Sequence, residues 1–424
     1  MHSANCYPIF VADWRKKILP LRSQAKLTDR WLLERLERVL PEVMRREGFD
    51  MWLVIGREYN EDPVMGSLLP ATMLSARRLT MLVFALTAEG TLERLTVSRY
   101  GLAPFYEAAW NPDQEDQWQC LARIVRERNP QRIGINCSET FAFGDGLSHT
   151  HYLELLAALD DDLRPRLQNA EQVAVGWLEQ RTPAEIAAYG GIVALAHGLI
   201  AEAFSRRVIH PGVTTPADVV WWFRQQTNEL GLTCWFQPSV SIQRQGASNL
   251  GPDTVIEPGD LLHCDFGLHY LKLATDTQQN AYVLRLGETM APAGLRAALC
   301  TGNRLQDILA EQMVVGRTGN EILLAALAQA ASEDIKASIY THPVGYHGHA
   351  AGPTIGLWDA QQGVPGRGDY PLYNDTCHAM ELNIKRAVPE WGDQEVTMAL
   401  EQDIIVTANR VHFLDGRQTA LHLI

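Results

Sequence analysis

Four acidic residues interrupt stretches of this chain that otherwise read as buried strand. Asp265 lies in GDLLHCDFG, Asp276 follows in ATDTQQNAYV, Glu381 sits in AMELNI and Glu401 in ALEQDIIVT. An unpaired carboxylate inside an apolar strand is costly, so the fold must bring each acid to a partner. Gly259-Asp260 marks a turn before the first run. The span from Asp265 to Asp276 reads as a hairpin, which can set two carboxylates side by side on one face. Carboxylates that close repel each other unless protons or cations neutralise them. Any one of these acids could be solvated or paired with an arginine, but a cation site explains all four most economically. The run His342-Pro-Val-Gly-Tyr-His-Gly-His349 adds His342, His347 and His349 as nitrogen candidates. Taken singly, each histidine could equally be a surface or hydrogen-bonded residue. Gly345, Gly348 and Gly352 permit unusual backbone angles and close approach of a ligand.

A chain of 424 residues exceeds one ordinary core, so two domains are expected. Residues 27–48 predict a helix with a break or kink at Pro41. MWLVIG (51–56) predicts a strand, LTMLVFAL-TAEG-TLERLTVS a hairpin, RIGINCS another strand and HTHYLELLAAL a helix. These describe an α/β domain over residues 1–165, with 166–182 as a linker. Thr182-Pro183 with Glu185 then opens a helix running to about Ile209, and Thr215-Pro216 with Asp218 opens a second. Strands follow in CWFQPSVSI, DLLHCDFG and QQNAYVLRLG, then helices over about 292–313 and in EILLAALAQAASED. Residues 378–413 alternate as an antiparallel sheet does. Helices followed by antiparallel strands predict an α+β domain over 183–424, with helices covering one face of a curved sheet.

A net charge of −13 and the lack of a basic run disfavour nucleic-acid binding. The acidic balance suits cation concentration and plain solubility equally. Seven scattered cysteines without a CxxC predict reduced thiols. Met1–Phe10 lacks a basic segment followed by an apolar core, and other apolar stretches are strand-length or interrupted by charge. Neither a signal peptide nor a membrane span is expected, and a cytoplasmic location follows by default.

Over about residues 175–410 the chain resembles the pita-bread metallohydrolases, the family of creatinase, aminopeptidase P, prolidase and methionine aminopeptidase. RTPAEIAAYGGIVALAHGLI matches the opening helix of the creatinase, aminopeptidase P and prolidase branch. GDLLHCDFG with Asp276 matches its paired-Asp motif, and His342-Pro-Val-Gly345 with His349 its His-x-x-Gly-x-x-x-His motif. Glu401-Gln-Asp-Ile-Ile-Val-Thr matches its final Glu strand. Each motif is moderately specific alone; their order and spacing together are strongly so. The first 165 residues resemble that branch's additional α/β domain less specifically.

The resemblance implies an α/β N-terminal domain followed by an α+β pita-bread domain holding two divalent ions. Manganese, cobalt, zinc or iron suits the mixed oxygen and nitrogen set. It implies that Asp265 chelates one ion, that Asp276 and Glu401 bridge both, and that His342 and Glu381 complete the second. Two ions roughly 3.5 Å apart can hold a bridging hydroxide and polarise an amide carbonyl. His349 would contact substrate and stabilise the developing tetrahedral intermediate, Glu381 would also move a proton, and His347 is a substrate-contact candidate. A second alignment takes His349-Ala-Ala-Gly352 as the ligand motif; only His342 has a histidine seven residues on.

The implied activity is that of an Xaa-Pro aminopeptidase or dipeptidase. The sequence departs from those peptidases around the substrate. Ser248 stands near the place of their histidine about seventeen residues before the first Asp. Glu381-Leu-Asn replaces Glu-Pro-Gly, and Ala399 replaces an arginine two residues before the last Glu. A creatinase-like hydrolase or lyase of a small non-peptide metabolite is therefore the alternative, and a non-catalytic binding protein a third. The resemblance also implies a short peptide or small-molecule substrate, and a homodimer in which one subunit's N-terminal domain shapes the other's cleft. Trp221-Trp222 could serve that interface or a helix core.

Overall fold

The computed structural model describes residues 11–248, 250–408 and 410–424. Met1–Phe10, with the leader reading and Cys6, lie outside the described residues. The chain divides into two compact units, Pro20–Ala184 and the described residues before Pro20 together with Glu185–Ile424.

The first unit holds a six-stranded sheet in the order Glu107–Ala108, Leu92–Val97, Leu79–Leu86, Met51–Arg57, Ile133–Ile135, Leu167–Asn169. Met51–Arg57 is antiparallel to Leu79–Leu86 and parallel to Ile133–Ile135, which makes the sheet mixed. Its alternate residues Met51, Leu53 and Ile55 join a core with Leu121, Ile124, Val125 and Leu155 from helices Gln117–Arg128 and His149–Ala158. On the other face Trp52 stacks on Phe84 and donates to Asn136, whose amide in turn donates to buried Asp62.

The break expected at Pro41 takes a different form. Arg35–Val39 is a π-helical turn, with the Leu40 N–H reaching Arg35 O, between helices Leu21–Glu34 and Leu40–Glu47. Proline has no N–H for the carbonyl four residues back, and its ring needs room there; one wide turn supplies it without ending the helix. Residues 166–182, expected as a linker, instead add the strand Leu167–Asn169 and the helix Glu171–Glu179 to this unit. The helix buries Val173, Val175, Trp177 and Leu178, and their transfer from water explains the docking.

The second unit is built on a nine-stranded sheet. Its main order is Lys336–Ile339, Thr376–Val388, Gln394–Val406, Thr277–Tyr282, Leu261–Phe266, Ser239–Gln243. Every pairing along this path is antiparallel. Helices Ala293–Gln312 and Gly319–Ser332 pack on one face, where Leu299, Leu305, Ile308 and Leu323 meet Met380, Leu382, Ile384, Met398 and Leu400. Capping boxes of Thr318 with Glu321 and Thr215 with Asp218 start Gly319–Ser332 and Pro216–Glu229. The helix from Pro183 stops at Ala203, short of Ile209; the Ser205 hydroxyl there bonds the Glu202 carbonyl. Among described helices, Pro183–Ala203 alone is long and apolar enough to cross a membrane, and it buries Tyr189, Ile192, Val193, Leu195 and Leu199.

Candidate metal centre

Strand register lines the acids up. Asp265 stands opposite Gln278, Gln278 opposite Glu401, and Glu401 opposite Glu381. Opposed residues of antiparallel neighbours share a face. Met380 and Leu382 point to the helices, so Glu381 and this whole row face away from them. Asp276 comes two residues before Gln278. The short strand His342–Pro343 pairs with Thr376–Val388 and sets His342 opposite Ala379, two residues from Glu381.

Three overlapping donor groups result: Asp265, Asp276 and Glu401; His342, Glu381 and Glu401; and Asp276, His342 and His349. Within each, the donor atoms lie within 4.8 Å of one another. His342 Nε2 is 3.5 Å from Asp276 Oδ2 and 3.5 Å from Glu401 Oε1. His342 Nδ1 lies 3.0 Å from the Pro343 carbonyl, which can only accept, so Nδ1 carries the hydrogen. In the neutral ring Nε2 then presents a lone pair to carboxylates that are acceptors themselves. Asp265 Oδ1, Asp276 Oδ1, His342 Nε2 and Glu401 Oε1 are all buried without a hydrogen-bond partner. Acceptors facing acceptors in a dry site call for a proton or a cation between them. Oxygen and imidazole donors in this proportion fit divalent cations.

The electrostatics carry the same strain. Burial first, then Asp276 and Glu381, pushes Asp265 up to about 9. Burial raises Glu381 to about 7 against the lowering influence of His342 and Gln278. Glu401 lies well above the usual carboxylate range, through burial and then Asp276, Glu381 and Asp265. Burial pushes His342 down, and the neighbouring Asp276 carboxylate more than reverses it. Burial and neighbouring His342 hold His349 below the ordinary histidine range.

The histidine run separates. His342 is buried and joins two donor groups; His349 is exposed and joins one. His347 is half-buried and lies outside all three. The His349 ring meets His342 edge-on at 4.6 Å and Trp235 at 5.0 Å. Trp235 is itself held by its indole N–H donating to Thr275 O at 2.8 Å. A Cβ on Gly348 would overlap the Trp235 indole, so glycine is what lets the run approach this wall.

Several contributors were not read from the sequence. Asp403 accepts from the Asp276 N–H at 3.2 Å and is buried. Gln278 and Asp403 each lie two residues beyond a candidate ligand, an offset that puts them on its face. Trp235 and Tyr340, whose rings flank His349, carry no comparable signal. As for the substrate-side departures, Ala399 faces Asn383 across the strands, and Leu382 is committed to the core.

Residues 191–408 match the model of metallopeptidase family M24. The chain belongs to that family. All five candidate donors fall inside the matched span. No curated protein matches the chain. Among solved structures, this family M24 chain is similar to an X-Pro aminopeptidase from Thermotoga maritima, with 14% identity, 90% of this chain and 100% of that chain covered, and a TM-score of 0.63. It is similar to an Xaa-Pro dipeptidase from Bacillus anthracis, with 16% identity, coverage of 93% and 100%, and a TM-score of 0.64. It is also similar to the N-terminal domain of FACT complex subunit SPT16 from Cicer arietinum (chickpea), with 11% identity, coverage of 95% and 99%, and a TM-score of 0.54. These likenesses establish the fold: an α/β N-terminal domain followed by the α+β pita-bread domain.

Proposed function

We propose that this family M24 chain is a dinuclear metal-dependent peptidase that hydrolyses amide bonds in short peptides, with Xaa-Pro peptides as the first substrates to try. The observation that carries this reading is the set of buried, unpartnered lone pairs on Asp265, Asp276, His342 and Glu401. Asp265, Asp276, His342, Glu381 and Glu401 would hold two divalent cations, with manganese, cobalt, zinc and iron all compatible. When bound, such cations supply Lewis-acid polarisation of a carbonyl and lower the pKa of water. His349, kept neutral, donates a hydrogen bond to the oxygen on which charge develops. A Glu381 carboxylate oxygen takes a proton and returns it to the leaving amine. Trp235 and Tyr340 hold the His349 ring in place. His347 is kept as a substrate contact.

One observation favours a second reading, a hydrolase or lyase of a small non-peptide metabolite. The row beside the acids is uncharged when the histidine is neutral: Ser241, His263, Asn280, then Ala399 and Asn383. Nothing in that row offers a fixed cation to a peptide carboxylate. A homodimer belongs to both readings; Trp221 is 61% exposed on its helix and available to an interface, and light scattering tests the assembly. The deciding experiment assays metal-loaded protein against an Xaa-Pro dipeptide and longer Xaa-Pro peptides. Turnover that disappears in Asp265→Ala and Asp276→Ala supports the peptidase; inactivity on every peptide with metal bound rejects it.

A further inference from the structure

Gln278 occupies the middle of the acid row, opposite both Asp265 and Glu401, yet it carries no charge. Its side chain is buried and has two partners. Gln278 Nε2 donates to Glu381 Oε1 at 2.9 Å, and Gln278 Oε1 lies 2.9 Å from His263 Nε2. His263 is two residues before Asp265 on the same strand face and opposite Asn280.

Donor and acceptor chemistry allows one arrangement of these three groups when Glu381 is ionised. A carboxylate that binds a cation can only accept, so the amide nitrogen of Gln278 must face it. The amide oxygen is then turned to His263, which must present Nε2–H. Each partner leaves the next no alternative orientation. Glu381 Oε1 is thereby occupied by an N–H, and Oε2 is the oxygen left for a cation.

We propose that Gln278, itself oriented by His263, is a positioning residue that makes Glu381 a single-oxygen metal ligand. This rests on the reading of the cleft as a cation site. Removing groups that orient metal ligands typically weakens metal affinity about 10–100-fold. Gln278→Met keeps length and bulk and removes the donor. His263→Leu removes the group that fixes the amide, and its effect must pass through Gln278.

The test is titration of the metal-free full-length protein with divalent cobalt, followed by calorimetry and by the visible cobalt bands, which report the ligands directly. Circular dichroism of the metal-free variants checks the fold. Gln278→Met is expected to weaken cobalt binding about 10–100-fold and to change the bands. His263→Leu is expected to cost affinity alone and nothing further in the double variant. An unchanged affinity and spectrum in folded Gln278→Met, or His263→Leu costs that add in full to it, would overturn the proposal. Should Gln278→Met not fold, folded His263→Leu decides instead: altered cobalt bands support it, unaltered ones reject it. Glu381→Gln separates the two levels. If the parent itself binds no cobalt, the cation-site reading fails; if the parent binds and Glu381→Gln binds weakly while Gln278→Met is unaffected, the positioning role alone fails.

Discussion

Replacing Asp62 by asparagine should abolish a specific pH dependence in the N-terminal unit. Asp62 is buried, accepting from the Val64 N–H at 3.0 Å and the Asn136 amide at 2.8 Å. Burial raises its carboxyl from 3.8 to about 6, against both hydrogen bonds. The folded pKa lies above the unfolded one, so the folded state holds the proton more tightly. This stabilisation is fully present below the unfolded pKa and is lost as pH rises through about 6. Two units correspond to roughly 3 kcal/mol between acidic and neutral pH. Asparagine cannot titrate, but it has one oxygen for two donors, and the amide of Asn136 cannot flip without abandoning Trp52. The variant's pH slope should therefore vanish, so its loss relative to the parent is largest in acid and shrinks by roughly 3 kcal/mol as pH rises through about 6. Hydrogen exchange of the strand Met51–Arg57, corrected for intrinsic rates, reads this unit without the acids of the other. Protection that does not fall between pH 4.5 and 7.5 in the parent, or falls equally in Asp62→Asn, refutes the reasoning.

Saturation of the metal-free protein with a divalent cation at about 100 times its Kd should add about 2.7 kcal/mol, or roughly 5–10 °C of thermal midpoint; a chelator should reverse it, and Asp276→Ala should abolish it. His349→Ala should lower kcat by about a hundred- to a thousandfold with little change in metal content, measured by steady-state kinetics and elemental analysis. Leu400→Ala empties a fully buried site under Ala293–Gln312 and should cost about 2–5 kcal/mol in urea melts.

The acids were legible because a carboxylate in an apolar strand has few cheap explanations, and register then supplied their meeting. The hairpin between Asp265 and Asp276 was legible only in outline. Leu271 and Lys272 turn it with φ values of +54° and +61°, and neither residue announces a left-handed turn as glycine or asparagine would. The helix Gln117–Arg128 went unread although Asp116 and Gln119 form a capping box at its start. The helix Glu171–Glu179 is nearly uniformly buried, so its apolar residues show no helical period. The link from His263 through Gln278 to Glu381 joins residues 118 positions apart and exists only once four strands are in register.

The most direct measurement is anomalous diffraction from crystals grown with divalent manganese or cobalt. Two peaks are expected among Asp265, Asp276, His342, Glu381 and Glu401, with His349 beside them and not coordinated. No peak at this row of acids, or a single ion bound through His349 in place of His342, would contradict the site.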